Sequence, residues 1–341
     1  MSLTTLPEPK VTPLRGGAVL RWGVLAPGGI ANAWVGTAHA NTDQRVVAVA
    51  SRSLDRAQAF ATKHGIERVY GDYAQLVADP GVDAVYIAAP HSEHLVLALL
   101  AISAGKHVLI EKPIGLNADQ AREIKAAAGA AGVFAMEAMW SRFLPQASII
   151  DQLVRDGALG DIMMVTADFG AHFDYAPDTR WFDPALGGGA MLDIGVYPVW
   201  FSHFVLGKPS RVTARGSLAP TGVDAQSIVL MDYESKAQGL ATMTMWGYGP
   251  MTASITGTLG RVESTREFFA PSGLRVWDGE HGPVEWMDPT GFRWGEGLAY
   301  EAVAVAQHVA DGLLESPLHS LDDTIEILEV LDEARAQLGA A

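Results

Sequence analysis

Short apolar runs rich in β-branched residues alternate with Ala- and Leu-rich stretches from Val19 onward. Runs of this kind are typical of strands buried on both faces, and the stretches between them carry apolar residues at helical spacing. The alternation therefore predicts a parallel sheet covered by helices. The predicted strands are 19–25, 45–50, 69–70, 84–88, 108–110 and 133–136, and the predicted helices are 30–40, 54–64, 73–78, 95–104 and, after the cap Asn117, a helix to about 131.

The pattern changes after Leu144 and Pro145, where one helix is followed by long segments in which apolar and polar residues alternate. Strict alternation predicts antiparallel strands with one covered face. The predicted elements are a helix over 146–156, strands over 161–170, 211–218, 227–233, 239–246, 252–257 and 261–267, and helices over 298–314 and 321–338. The fold class is thus an α/β Rossmann domain with a doubly wound parallel sheet, followed by an α+β domain with an open, mostly antiparallel sheet.

Composition narrows the classes of partner. The 341 residues exceed the size at which a single core keeps growing, so two domains are expected. The chain has no cysteine, which excludes disulfides and thiolate zinc sites, and we expect no metal and a cytoplasmic location. A net charge of −15 disfavours binding to nucleic acid or anionic lipid, so the expected partners are small molecules. Neither a signal peptide nor a membrane span is predicted.

A glycine-rich turn lies between the first predicted strand and the first predicted helix. Such a turn lets the backbone approach a pyrophosphate, whose charge is attracted by the N–H groups of the helix N-terminus. In the G-x-G-x-x-G/A pattern, Ala26 takes the first glycine position, Gly28 the second and Ala31 the third. We predict that Ala26, Gly28, Gly29, Ile30 and Ala31 contact a dinucleotide; a tight turn without a ligand is the alternative.

The second strand ends in Ser51-Arg52-Ser53, without the Asp or Glu that holds the ribose 2′-hydroxyl in NAD enzymes. An arginine at this position favours a 2′-phosphate. We therefore predict NADP rather than NAD, with Arg52 and either Ser51 or Ser53 contacting that phosphate. An arginine that is merely exposed at a strand end is the alternative.

Two charged residues and a proline, Glu111-Lys112-Pro113, directly follow a predicted buried strand. The carboxyl ends of parallel strands form the edge at which ligands bind in doubly wound folds. Proline disfavours helical geometry at Lys112, so we expect its side chain to be held towards the ligand. A surface Glu–Lys pair is the alternative.

These motifs together resemble the glucose–fructose oxidoreductase and inositol dehydrogenase family (Gfo/Idh/MocA). The resemblance rests on the glycine-rich turn and on residues 89–94, 104–108 and 111–113. Residues 139–145 and 187–198 are similar to the branch that contains dimeric dihydrodiol dehydrogenase and NADP-dependent D-xylose dehydrogenases. The resemblance extends from about residue 20 to the C-terminus.

The resemblance implies that Lys112 lies near the nicotinamide, that Asp193 lies beside the substrate, and that Tyr197 stands where many relatives carry a histidine. A phenol ordinarily titrates near ~10, so Tyr197 needs a nearby cation to act as a base, and Lys112 is the candidate. We predict that Tyr197 takes the hydroxyl proton while the substrate carbon loses a hydride. On an ordinary helix Asp193 and Tyr197 share a face. A packed interfacial aromatic is the alternative for Tyr197.

Further contacts are predicted by position. For the cofactor they are Ala89, Pro90, His91, His94, Glu111, Trp140 and Arg142, and for the substrate Trp140, Phe143, His172 and Trp181. Local packing is an equal alternative for both histidines, as core packing is for Trp140 and Phe143. Aromatic rings combined with polar groups suit a sugar, a polyol or a cyclic diol.

The predicted domains are a flexible lead-in (1–18), an NADP-binding Rossmann domain (19–140) and a substrate and dimerisation domain (141–341). Its C-terminal helices (299–338) are expected to pack back on the Rossmann domain. We expect an NADP-dependent oxidoreductase that forms a homodimer through the C-terminal sheet. Two alternatives stay open: a noncatalytic NAD(P)-binding sensor, and a glycosidase-like relative that retains its NAD.

Overall fold

The chain forms two compact units in a computed structural model that describes residues 5–341. The parallel-sheet unit comprises Val11–Phe143 and Trp294–Ile325, and the mixed-sheet unit comprises Leu144–Arg293, Glu326–Ala341 and residues 5–10. Part of the predicted lead-in is held by hydrogen bonds: Arg15 Nη2 donates to Ala40 O at 2.7 Å. Residues 1–4 of that lead-in lie outside the described range.

The parallel-sheet unit has six parallel strands in the order β3-β2-β1-β4-β5-β6. This is the order typical of dinucleotide-binding folds. The strands are β1 (Arg21–Leu25), β2 (Arg45–Ala50), β3 (Arg68–Tyr70), β4 (Ala84–Ile87), β5 (His107–Glu111) and β6 (Ala135–Ala138). The helices are α1 (Gly29–Asn41), α2 (Leu54–His64), α3 (Tyr73–Val77), α4 (His94–Ser103), α5 (Ala118–Ala131) and α8 (Leu298–Ala310).

Local signals in the sequence explain these bounds. The Asn117 side chain accepts a hydrogen bond from Gln120 N at 3.0 Å, so α5 begins where a cap was predicted. Gly132 ends the same helix in the left-handed conformation. The core is aromatic where α1 meets the sheet, because Trp34 is stacked on Tyr86 with ring centroids 4.4 Å apart.

The mixed-sheet unit has eight strands in the order β14-β13-β12-β11-β7-β10-β9-β8. All neighbours are antiparallel except β7 and β10. The strands are β7 (Ile162–Gly170), β8 (Arg211–Leu218), β9 (Asp224–Asp232), β10 (Gln238–Thr244), β11 (Ala253–Gly257), β12 (Arg261–Ser264), β13 (Gly273–Trp277) and β14 (Val284–Met287). The predicted fold class is confirmed, although the sequence analysis missed β13 and β14.

Helices α6 (Pro145–Arg155), α7 (Val196–Leu206) and α9 (Leu321–Leu338) complete the chain. One face of the mixed sheet is covered by α7, which packs on β7 and β10. By composition Pro184–Leu206 is long and apolar enough to cross a membrane, but 83% of its most apolar window is buried inside the protein, as in a core helix. On the other face of the sheet, large side chains such as Met164 and Ile228 are exposed.

Candidate active site

The strand order brings three predicted segments to one edge of the parallel sheet. Strand β4 lies between β1 and β5, so the carboxyl ends of these three strands are neighbours. The glycine-rich turn follows β1, the loop of His91 follows β4, and Lys112 follows β5. This edge is where doubly wound folds bind dinucleotides.

The turn after β1 has the geometry of a phosphate-binding turn. Ala26 stands at the first glycine position of the motif. It adopts φ +59°, a left-handed conformation that favours glycine. Helix α1 begins at Gly29 without a side-chain cap. A Cβ added at Gly29 would meet no atom within 4 Å, so the helix N-terminus is open to a ligand. Gly28 and Ile30 are exposed and Ala31 is buried, and these residues fit a pyrophosphate.

At the tip of β2, Arg52 is exposed, and within residues 5–341 its guanidinium has neither a hydrogen bond nor an ion pair. The two serines beside it have local partners. Ser53 Oγ accepts from Arg56 N at 3.4 Å and caps α2, and Ser51 Oγ accepts from Ser53 N at 3.2 Å. Arg52 is therefore the group at this tip that can meet an anion.

The loop after β4 is fixed by a buried histidine. Both ring nitrogens of His94 lie near carbonyl oxygens: Nδ1 is 2.8 Å from Pro113 O, and Nε2 is 2.9 Å from Ala89 O. Burial lowers the pKa of His94, and a neutral imidazole donates to only one of the two carbonyls at a time. His91 is 6% exposed, and its ring lies 5.7 Å from that of His94.

Glu111 is buried at the end of β5, immediately before the half-buried Lys112. Its carboxylate accepts from the Tyr86 phenol and from Lys112 N. Glu301 on α8 is fully buried in the same unit; burial, and then the charge of Glu111, raise the pKa of Glu301 well above its usual value. The sequence analysis missed Tyr86 and Glu301, because neither lies in a recognisable motif.

Trp140, Arg142 and Phe143 follow β6 and are almost fully buried, with exposures of 6%, 5% and 4%. Arg142 Nε donates to Leu318 O at 2.9 Å, which ties this turn to the C-terminal part of the same unit. These three side chains therefore have packing roles in addition to the contacts predicted for them.

In the mixed-sheet unit, Asp193 and Tyr197 lie on consecutive helical segments of different type. Residues Met191–Gly195 form a π-helix, and α7 begins at Val196. A π turn closes at i→i+5 instead of i→i+4, so the stretch that carries Asp193 and Tyr197 is not one regular α-helix. The expectation of one ordinary helix is therefore wrong here. π-Helical turns occur frequently at functional sites.

Both side chains are buried and have defined neighbours. Arg180 Nη1 donates to Asp193 Oδ1 at 2.9 Å, and its guanidinium lies 5.1 Å from the Trp181 ring. The Tyr197 ring packs against the stacked pair Phe169 and Phe269, with centroids 5.7 and 5.0 Å away. An acid that is ion-paired and a phenol that is held by aromatic rings can both be presented in a fixed orientation.

The start of this helix is held by Asp224, which the sequence analysis missed. Asp224 is 1% exposed, and its Oδ2 accepts from Met191 N at 2.8 Å. Burial raises the pKa of Asp224 to about 6. A Cβ at Gly189, where φ is +121°, would lie 2.5 Å from Asp224 Oδ1, so glycine is required there. The triple glycine at 187–189 was the available signal.

The remaining predicted substrate contacts lie on the loop after β7. His172 is exposed, and its Nδ1 lies 3.3 Å from Trp246 O. Trp181 packs on Phe173 with centroids 5.0 Å apart. Among residues 5–341 no group of three or more metal-ligating side chains is assembled.

Two family models match the chain, one on each side of residue 144. Residues 20–139 match "Oxidoreductase family, NAD-binding Rossmann fold", and residues 149–263 match "GFO/IDH/MocA C-terminal domain". The trans-1,2-dihydrobenzene-1,2-diol dehydrogenase of Xenopus laevis is 39% identical over 327 residues, which cover 94% of this chain and 98% of that protein.

Solved structures agree over a similar length. A 3-ketoreductase from Actinomadura kijaniata, in complex with NADP and TDP-benzene, is 27% identical with a TM-score of 0.79, covering 94% of this chain and 98% of that one. An NAD binding oxidoreductase from Klebsiella pneumoniae is 25% identical with a TM-score of 0.84, covering 94% and 97%. The chain described here therefore belongs to the Gfo/Idh/MocA family of oxidoreductases, with a Rossmann domain that binds a nicotinamide dinucleotide.

Proposed function

We propose that the protein is an NADP-dependent dehydrogenase that transfers a hydride between the nicotinamide and a secondary or hemiacetal hydroxyl of a sugar, polyol or cyclic trans-diol. The observation that carries this proposal is that the glycine-rich turn after β1 and Lys112 after β5 lie at the same edge of the parallel sheet, with β4 between the two strands. The names of the diol dehydrogenase and the 3-ketoreductase support the class of reaction.

When bound, the nicotinamide supplies a carbon that accepts or returns a hydride. The residues of this chain move the proton. In the oxidation, the substrate carbon loses its hydride, and Tyr197, as the phenolate, takes the proton of the hydroxyl, so that a carbonyl remains. The Lys112 ammonium is proposed to stabilise the developing negative charge on the substrate oxygen. In the reduction the same proton returns from Tyr197 to the oxygen.

Asp193 is proposed to orient the substrate by accepting from a neighbouring hydroxyl. Asp193 is ion-paired with Arg180, and a carboxylate can only accept hydrogen bonds. A carboxylate next to the reacting hydroxyl suits substrates with two adjacent hydroxyl groups, as in a sugar or a trans-diol.

A spectrophotometric screen with NADP tests the reaction. D-Xylose, D-glucose, inositols and trans-dihydrodiols are offered, and we expect net formation of NADPH with at least one of them. Turnover without net NADPH would support a glycosidase-like relative instead. If no substrate changes the absorbance while NADPH still binds, the noncatalytic sensor is the better description.

The preference for NADP is tested with Arg52→Ala. A charge-assisted contact with the 2′-phosphate contributes about 1.5–3 kcal/mol, so we expect the KM for NADP to rise about 10–100-fold while the KM for NAD stays unchanged. Arg45→Ala is the matched control, because Arg45 lies at the opposite end of the same strand. Equal use of both cofactors by the parent enzyme would contradict the preference.

We also propose a homodimer formed through the open face of the mixed sheet. Ile228 is 52% exposed and Met164 44%, on the face that α7 does not cover. A second copy would remove these side chains from water. Sedimentation should give a dimer for the parent and a monomer for Ile228→Arg; a monomeric parent would contradict the proposal.

A further inference from the structure

The peptide group between Pro113 and Ile114 is held from both sides by buried ionisable side chains. His94 Nδ1 lies 2.8 Å from Pro113 O, and Ile114 N donates to Glu137 Oε1 at 2.9 Å. Pro113 O and Ile114 N belong to the same planar unit, so these two contacts fix its orientation. The unit directly follows Lys112.

Both clamping side chains are tied further into the parallel-sheet unit. The second nitrogen of His94 lies against Ala89 O, and Glu137 Oε2 accepts from His319 Nε2 at 2.9 Å and from Thr324 Oγ1 at 3.1 Å. His94 and Thr324 are 0% exposed, Glu137 1% and His319 3%. A buried network with so many partners rigidifies the backbone that it holds, because leaving a member unpaired costs about 1–3 kcal/mol or more.

The backbone before Lys112 is restrained as well. Glu111 Oε2 accepts from Lys112 N at 3.2 Å, and the other oxygen of Glu111 accepts from the Tyr86 phenol. Proline fixes its own φ, so a fixed peptide after Pro113 leaves few free torsions between the clamp and Lys112. Burial lowers the pKa of His94, and the positive charge of Lys112 contributes to that shift, so the two side chains interact electrostatically.

We propose that His94 and Glu137 are positioning residues for Lys112: together they hold the Pro113–Ile114 peptide so that the ammonium meets the reacting oxygen in one orientation. The proposal rests on the proposed function only in giving Lys112 a part in the reaction. Both clamping side chains are buried, and their polar atoms face groups of the parallel-sheet unit. His319 and Thr324 act one step further away, through Glu137.

Full-length Glu137→Leu and His94→Leu remove the clamp from either side. We expect kcat to fall about 10–100-fold for each, because a small misplacement of a catalytic group costs about that much. In Glu137→Leu the dissociation constant of NADPH should stay within about 3-fold of the parent. Glu137→Gln keeps an acceptor for Ile114 N, so its kcat should stay within about 5-fold of the parent. The Gln variant also covers the case in which Glu137→Leu does not fold.

Lys106→Met is the matched control. Lys106 Nζ donates to Asp79 O at 2.8 Å and to Val82 O at 2.7 Å, so it is a buried clamp at the opposite end of the same strand β5. We expect this variant to lose stability but to keep its kcat. A fall in kcat equal to that of Glu137→Leu would mean that general destabilisation explains both effects, and would overturn the proposal.

Two readouts in the ligand-free protein separate the clamp from the chemistry. Amide hydrogen exchange of residues 112 and 114–116 and the rate at which acetic anhydride acylates Lys112 should both rise in Glu137→Leu and His94→Leu, and stay unchanged in Lys106→Met. Unchanged exchange and acylation would overturn the proposal even if kcat fell. Failure of the proposed function would give a different result, namely full turnover by Lys112→Met.

Discussion

The two segments that carry the candidate catalytic groups are held in the same way in two different units. In the parallel-sheet unit, the buried carboxylate of Glu137 accepts from Ile114 N, just after Lys112. In the mixed-sheet unit, the buried carboxylate of Asp224 accepts from Met191 N, at the start of the helical stretch that carries Asp193. In both places a short acceptor–amide contact fixes the backbone two residues from the functional side chain.

The surroundings of the two carboxylates differ. Glu137 also receives hydrogen bonds from His319 and Thr324 side chains, whereas Asp224 lies against Gly189 and caps a helix start. Burial raises the pKa of Asp224 to about 6, so its charge costs free energy at neutral pH. The comparison teaches that the Lys112 segment is held by side chains distant in sequence. The Asp193 segment is held by a carboxyl group whose position depends on the space at Gly189 and whose charge depends on pH.

The largest loss of activity is expected for the two side chains that take part in the proposed reaction. Lys112→Met and Tyr197→Phe should each lower kcat by about 10²–10⁴-fold, the usual contribution of acid–base groups and their electrostatic partners. Steady-state kinetics with the substrate found in the NADP screen measures the change. Near-native turnover with normal cofactor binding would remove that residue from the mechanism.

The Asp224 contact is broken by adding one methyl group. Gly189→Ala places a Cβ 2.5 Å from Asp224 Oδ1 at φ +121°, and should lower the free energy of unfolding by about 3 kcal/mol or more. Gly105→Ala is the matched control: its φ is +74°, but its Cβ would meet no atom within 4 Å, so only about 1–2 kcal/mol is expected. Equal losses in urea unfolding would show that the Asp224 contact is unimportant.

The charge of Asp224 is tested by its pH dependence. The folded-state pKa of about 6 lies above the ordinary 3.8, so the stabilising contribution is complete below pH 3.8 and is lost as the pH rises through 6. Asp224→Asn removes this loss, and we expect it to be more stable than the parent at pH 8 by up to about 3 kcal/mol, with a smaller difference at pH 5.

Urea unfolding of both proteins at pH 5 and pH 8 measures this difference. The control is Asp174→Asn, because the Asp174 side chain is fully exposed and the substitution should change stability little at either pH. An Asp224→Asn variant that gains nothing on going from pH 5 to pH 8 would contradict the prediction.

The smallest effect is expected at the ion pair of Asp193. The Arg180 side chain is 47% exposed, so Arg180→Met should change stability by at most about 1 kcal/mol. The KM for substrate should still rise a few-fold, because Asp193 loses the partner that orients it. Arg275→Met, which breaks an exposed pair with Glu285, is the control and should leave KM unchanged.

Much of the fold could be predicted because its signals are local. Strand β2, helix α2 and strand β8 have the predicted bounds, since each is delimited by caps, turns or a change of periodicity. Strand β6 was predicted over 133–136 but lies at Ala135–Ala138, because its register is set by pairing with β5 and not by the apolar run itself. Strands β13 and β14 are four or five residues long, too short for alternation to stand out.

In the candidate site, too, the residues that carry local signals could be predicted from the sequence and the others could not. The turn of Ala26 and the Glu111-Lys112-Pro113 segment were found because their residues are adjacent in sequence. Glu137 and Asp224 could not be found, since their importance depends on amides 23 and 33 residues away. The π-helical turn was also missed, because no local pattern distinguishes it from an α-helix.

The hydrogen-bond network of Glu137 has a consequence for folding during translation. Glu137 meets His319 and Thr324 across 182 and 187 residues. A ribosome that has just released strand β6 must therefore translate the whole mixed sheet before this carboxylate can receive hydrogen bonds from His319 and Thr324. A fragment that stops at residue 143, or a chimera that exchanges only that stretch with a relative, would carry a buried carboxyl group that keeps the Ile114 amide but lacks its two side-chain donors.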